Sequence, residues 1–121
     1  MDAIKKLSCY LPYALNFYGG GDIFTMYSIS KDGDVLLKNG LDDVVLHKDN
    51  VGGEYAPILR PMSDFLLSDR YICDAAVPSE VHGIHKDITR IAYRIDWLLQ
   101  NHYDIFGLID QKKAIDISSL R

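Results

Sequence analysis

The period of the apolar residues changes along the chain. Before Lys48 they come in short runs separated by turn residues, and after Pro78 they recur at helical spacing. Ala14-Leu15-Asn16-Phe17-Tyr18 runs into Gly19-Gly20-Gly21, a turn with free access to positive φ. Ile23 to Ser30 is rich in aromatic and β-branched residues whose faces alternate. Asp32-Gly33 and Asn39-Gly40 are hairpin signals. They bracket Val35-Leu36-Leu37, and Val44-Val45-Leu46 follows the second. The stretch Tyr13 to Lys48 is therefore predicted to be an antiparallel meander of three to four strands.

The flanking segments are shorter. Asp2 to Ser8 predicts a short helix with Ile4 and Leu7 on one side, stopped by Pro12. Asp49 to Glu54 has the composition of a loop. Tyr55 to Leu59 reads as a strand that Pro57 confines to an edge or a strand start. Pro61 and Ser63-Asp64 predict a turn into a helical piece through Phe65-Leu66-Leu67, with Tyr71 to Ala76 as a further strand. Ala114-Ile115-Asp116-Ile117 alternates like a short strand able to join a sheet edge.

The strongest periodic signal is a helix from about Ile84 to Tyr103. Pro78 and Ser79 suit its start, with Ser79 as N-cap and Glu80 in the first turn. Gly83 weakens that turn. Ile84, Ile88, Ile91, Ile95 and Leu98 form a stripe broadened by Ala92 and Leu99. At about 100° per residue the stripe fills a sector roughly 120° wide, the width of a core-facing face. Gly107 is the expected stop. The predicted fold is α+β, a single domain over residues 1–121. An N-terminal antiparallel β-meander of three to four strands packs against a long C-terminal amphipathic helix lying across one face.

Composition supports one ordinary domain. A chain of 121 residues with 48% hydrophobic and 25% charged residues is too apolar for disorder and long enough for a core without staples. Its net charge of −4 is spread evenly, which disfavours nucleic acid and offers no basic tail to a membrane. The N-terminus, Met1-Asp2-Ala3-Ile4-Lys5-Lys6-Leu7, lacks the apolar stretch of a signal peptide, and no run has the roughly 18 apolar residues of a membrane span. The expected compartment is the cytoplasm. There Cys9 and Cys73 are expected to be small buried hydrophobes rather than a disulfide.

Candidate chemistry changes this picture little. Glu80, His82 and His85 lie close together, but a metal site needs three or four converging ligands, and His102 falls a helix length away on the apolar stripe. His102 is expected to be partly buried, hydrogen-bonded and favourable at a helix C-terminus. No nucleophile has a base beside it in sequence, and Gly19-Gly20-Gly21 lacks the Lys and helix of a phosphate loop. Asp42-Asp43 fits a solvated turn. No cofactor is expected and no catalytic residue is assigned.

Opposite the isoleucines, Lys86, Arg90, Tyr93, Arg94, Trp97 and Asn101 share a sector. Lysine and arginine at successive i+4 steps suit a solvent face, whereas a tyrosine and the only tryptophan need a further reason. Two reasons are open. Either the segment Asp64 to Cys73 folds over this face and covers Trp97, or Lys86, Arg90, Tyr93, Arg94 and Trp97 form a partner-binding surface, a composition enriched at interface hot spots. Arginine stacking on Trp97 would serve both.

Several segments resemble small uncharacterised proteins of phages and prophages of gut Bacteroidales bacteria. They are Leu11 to Leu15, Ile58 to Asp64, Trp97-Leu98-Leu99, His102 to Asp110 and Ala114 to Ile117. Gln111-Lys112-Lys113 departs from the Gly-containing turn of those proteins at that place. The resemblance implies a phage-encoded accessory protein of the host cytoplasm and assigns no functional residue. With the arginine–tryptophan face it leads to an expected role in protein–protein interaction, with a host or virion protein or with itself as partner. The enzyme alternative is a small metal-assisted hydrolase using the His82/His85 cluster with Glu80.

Overall fold

The meander forms from the residues that predict it. β1 (Asn16–Gly19), β2 (Asp22–Ile29), β3 (Val35–Asn39) and β4 (Asp42–Leu46) each pair antiparallel with the next. The structure is a computed structural model that describes residues 2–40, 42–75 and 86–120. Gly20 and Gly21 close the first hairpin at φ +59° and +80°, both positive as a tight hairpin turn of this hand requires. Asp32-Gly33 sits in a longer connection between Ile29 and Val35. Asn39 ends β3 opposite Asp42, so the third turn begins at Gly40 rather than at Asn39. Alternation places Phe17, Phe24, Met26, Val35, Leu37 and Leu46 on one buried face. A register shift between Met26 and Ser28 marks an irregularity in β2.

Two further strands extend the meander. β5 (Tyr55–Leu59) pairs antiparallel with β1, and β6 (Ile115–Asp116) pairs parallel with β5. The result is a mixed six-stranded sheet of order β4-β3-β2-β1-β5-β6. Pro57 is opposite Phe17 of β1, while β6 pairs only with Ile58 and Leu59, so the proline has a strand neighbour on one side only.

The predicted α+β class is observed, but the packing partner of the sheet is not the predicted helix. The buried face is covered by α1 (Ala3–Ser8), the 3-10 turn Leu11–Tyr13 and the segment after Tyr103. Asp2 caps α1, its Oδ1 accepting from the Lys5 amide at 2.9 Å. Leu7 and Tyr10 from one terminus and Leu108 from the other complete the core, with Phe106 and Ile109 packed at its margin. Each such aliphatic or aromatic side chain contributes about 1.5–3 kcal/mol on burial. Asp104, itself buried, ties the returning chain by accepting from the Leu108 amide at 2.7 Å and the Ile109 amide at 2.9 Å.

Tyr71 to Ala75 is not a strand. It belongs to α2 (Leu67–Ala75), and the helical piece expected at Phe65 is preceded by a 3-10 turn at Met62–Asp64. The β-branched and aromatic letters of Tyr71-Ile72-Cys73 misled the sequence reading, because tertiary packing overrides so short a propensity signal.

The described part of the C-terminal helix, α3 (Lys86–Gln100), is 15 residues long. The expected N-cap Ser79, with Glu80, His82, Gly83, Ile84 and His85, lies outside the described residues. Its end differs from the prediction. The amide of Tyr103 donates to the Leu98 carbonyl at 2.9 Å and that of His102 to Leu99 at 3.0 Å, with His102 at φ +60°. This bond pair is a Schellman motif with His102 in the left-handed position usually held by glycine. Gly107, the predicted stop, serves a later turn at φ +72°.

Candidate functional site

The carboxyl end of α3 is built into the body. Tyr13 donates its hydroxyl to the Asp96 carboxylate. His102 Nε2 lies 2.7 Å from the Tyr13 carbonyl, and a carbonyl only accepts, so Nε2 carries the proton. The chain after the helix then pairs with the end of β5. The Arg60 amide donates to the His102 carbonyl and the Asp104 amide to the Arg60 carbonyl, each at 2.8 Å. The Tyr10 hydroxyl donates to the Tyr103 carbonyl. Residues 11–15, 58–64 and 97–110 thus meet at one junction.

This junction decides the place of the arginine–tryptophan face. Trp97 is half-buried in an aromatic cluster, stacked on Tyr103 with centroids 6.0 Å apart and an interplanar angle of 25°. Phe65 lies 6.2 Å from Trp97 and meets Tyr103 edge-on at 5.6 Å. The segment following Asp64 therefore does fold over Trp97. The cation stacked in the cluster is Arg60, 4.2 Å from the centre of the Tyr103 ring, rather than an arginine on Trp97. Arg94 Nε donates to Asp74 Oδ1 of α2 at 2.8 Å, and the Cys73 thiol donates to the Arg94 carbonyl at 3.8 Å. Arg90 and Tyr93 are exposed. Lys86 is the first residue of the described helix. Two of the five expected contact residues, Arg94 and Trp97, thus have intramolecular partners.

The isoleucine stripe has the opposite fate. Ile88 is 70% exposed, Ile91 53% and Ile95 42%, and only toward Leu98 and Leu99 does the stripe become half-buried. Exposure falls steadily toward the embedded end, so the amino-terminal turns of α3 stand clear of the sheet. The face expected to lie on the core is the uncovered one, and Ile72 of α2 is exposed as well. Large apolar side chains grouped on one helix face in this way mark an interaction surface more often than scattered ones do.

Between α2 and α3 lies an open cleft of about 470 Å³ lined by Phe65, Arg70, Cys73, Asp74, Arg94 and Leu98. Burial pushes the Cys73 thiol above its ordinary range, the neighbouring Asp74 carboxylate adds to this, and Arg94 opposes it. A protonated thiol is a weak nucleophile, so the cleft holds no activated group of that kind. Cys9 and Cys73 are both free thiols, Cys73 buried and Cys9 partly so. Among the described residues no three His, Cys, Asp or Glu side chains converge as metal ligands. The expected His82/His85/Glu80 cluster lies outside those residues. Among the described residues, too, no helix is long and apolar enough to cross a membrane.

Arg60, Phe65 and Tyr103 are the members of the cluster that sequence reasoning did not single out. Their signal was weak, since an arginine and a phenylalanine flanking Pro61-Met62-Ser63-Asp64 carry no periodicity. Comparison of the chain with protein-family models, with curated proteins and with solved structures finds no match.

Proposed function

We propose that this protein acts by protein–protein binding, with the isoleucine stripe of α3 as its principal docking surface. The observation that carries this reading is the exposure of Ile88, Ile91 and Ile95 on consecutive positions of one helix face. Leaving such a face in water forgoes about 25 cal/mol per Å² of apolar area, a gain available on binding. Arg90 and Tyr93, exposed on the same helix, supply side chains common at the rim and centre of interfaces. The intramolecular bonds of Arg94 and Trp97 make those two residues supports that fix the helix rather than contacts in their own right. The origin as a phage or prophage accessory protein, acting in the host cytoplasm, is proposed from the resemblance alone, and a host or virion protein remains among the candidate partners.

Site-specific photo-crosslinking tests the reading. A photoreactive residue at position 91 is expected to give a covalent adduct with another polypeptide chain in the producing cell. The same residue at Gln100, exposed but off the stripe, is expected to give none. Absence of adducts from positions 88, 91 and 95 alike would overturn the proposal.

A further inference from the structure

We infer that the cleft between α2 and α3 is a binding site for a small organic anion, a carboxylate carried on an aromatic body. Two helices supply its walls at regular spacing. Arg70, Cys73 and Asp74 of α2 stand at i, i+3 and i+4, and Arg94 and Leu98 of α3 at i and i+4, so each set shares one face of its helix. Phe65, from the segment before α2, completes the lining. At about 470 Å³ the cleft lies within the range of small-molecule sites, about 300–1,000 Å³.

Charge selects the anion. Among the described residues of the lining, Arg70 and Arg94 are opposed by Asp74 alone, which leaves a local positive excess in a chain whose net charge is −4. Cys73 adds no charge, because its protonated thiol donates to the Arg94 carbonyl at 3.8 Å. Asp69, next to Arg70 in sequence, does not line the cleft and accepts from the Leu66 amide. Asp74 Oδ1 accepts from Arg94 Nε at 2.8 Å, which orients that guanidinium and leaves its terminal N–H groups without a bond among the described residues. Arg70 forms no ion pair with a described residue. A guanidinium is a planar fork of donors that matches a carboxylate, and here each wall of one cleft supplies one.

Burial selects the body. Arg70 and Arg94 are exposed, whereas Phe65 and Leu98 are half-buried and Cys73 is buried. The charges therefore sit toward the mouth and the apolar surface lies deeper. A ligand ring gains area there and can stack edge-on or offset against Phe65. A carboxylate without a body would leave that surface wet, and a neutral aromatic would leave the guanidiniums without a partner.

Titration of the full chain with 3-phenylpropionate, followed by its amide and indole resonances, tests the site. Saturable shifts are expected at Arg70, Cys73 and Leu98 and at the indole of Trp97, whose ring lies 6.2 Å from Phe65. The uncharged analogue 3-phenylpropionamide, added to the same unaltered chain, is expected to bind about ten-fold more weakly. Arg70→Gln is expected to weaken 3-phenylpropionate by a similar factor. Lys31→Gln, the same change of net charge at an exposed position between β2 and β3, should leave it unchanged. Equal affinity for the acid and the amide would overturn the role of the arginines. Inorganic phosphate bound as tightly as 3-phenylpropionate would overturn the aromatic body. Saturable shifts confined to other parts of the chain, or none up to about 10 mM, would overturn the site. The isoleucine stripe has its own test in the photo-crosslink, so either reading can fail without the other.

Discussion

His102 Nε2 and the Tyr13 carbonyl oxygen are 2.7 Å apart, and this bond holds a histidine in the left-handed backbone region at the end of α3. The local backbone cost is offset by a contact spanning most of the sequence. His102→Ala loses the bond and keeps an unfavourable φ, so it is expected to lower stability by about 1–2 kcal/mol. His102→Gly loses the same bond but takes the left-handed region freely, and should cost less. Urea unfolding of the two variants checks the ordering; equal losses would show that backbone strain plays no part.

Lys112 presents the same geometry without a comparable side-chain bond among those seen. Its φ is +60°, the Lys113 amide donates to the Leu108 carbonyl at 2.9 Å, and the Lys112 amide to Ile109 at 3.0 Å. This is a Schellman-type turn whose left-handed position is one that glycine takes most freely. Lys112→Gly is expected to stabilise the protein by about 0.5–1 kcal/mol, strain relief exceeding the entropy that glycine adds to the unfolded chain. A lower urea midpoint for the variant would contradict this.

Alkaline pH should unfold the protein through its buried phenols. Burial raises the Tyr10 hydroxyl far above its ordinary value, against the opposing effect of the Ile105 backbone amide. Burial likewise raises Tyr103, with Arg60 acting the other way. Both groups hold their proton longer in the folded chain than in the unfolded one. Their contribution is therefore intact below about pH 10, the unfolded value, and is lost as pH rises beyond it. Phenolate absorbance measured against pH, together with circular dichroism, should show part of the signal from the eight tyrosines appearing only as the fold is lost. Complete ionisation of all eight with the fold intact would refute it.

Tyr103 allows a sharper version. Its hydroxyl is buried and makes no well-formed hydrogen bond among the described residues; the Asp69 carboxylate, near enough to raise it by charge and by a hydrogen bond, also accepts from the Leu66 amide at 3.1 Å. Tyr103→Phe removes an unsatisfied polar atom and keeps the ring on Trp97 and Arg60. It is expected to leave stability unchanged or raise it by about 1 kcal/mol, and a clear loss in thermal unfolding would contradict that.

Most local signals in the sequence led to the correct elements, those at Tyr71 to Ala75 and Gly107 excepted, and the long-range contacts were not legible. Gly20-Gly21 and Gly40 mark their turns because positive φ is a local demand that few other residues meet cheaply. The α3 stripe was legible as a helix for the same reason. Which side of that helix is buried was not legible, since an amphipathic pattern records that one face is apolar and says nothing of what covers it. The sheet was already covered by Leu7, Tyr10 and Leu108, residues at opposite ends of the chain whose convergence no periodicity announces. His102 as helix stop depends on Tyr13, and the Trp97 cluster depends on Phe65 and Tyr103. These are contacts between residues far apart in the chain, at positions that satisfy no local rule.

α3 turns Trp97 toward the body and Ile91 toward solvent. Urea unfolding of Ile91→Ser and Trp97→Ala, at a protein concentration low enough to keep the chain monomeric, tests it most directly. The structure predicts a change within about 0.5 kcal/mol for Ile91→Ser and a loss of about 2 kcal/mol or more for Trp97→Ala. The reverse order, with Ile91→Ser the costly substitution, would mean that the isoleucine stripe is the buried face and would contradict the account.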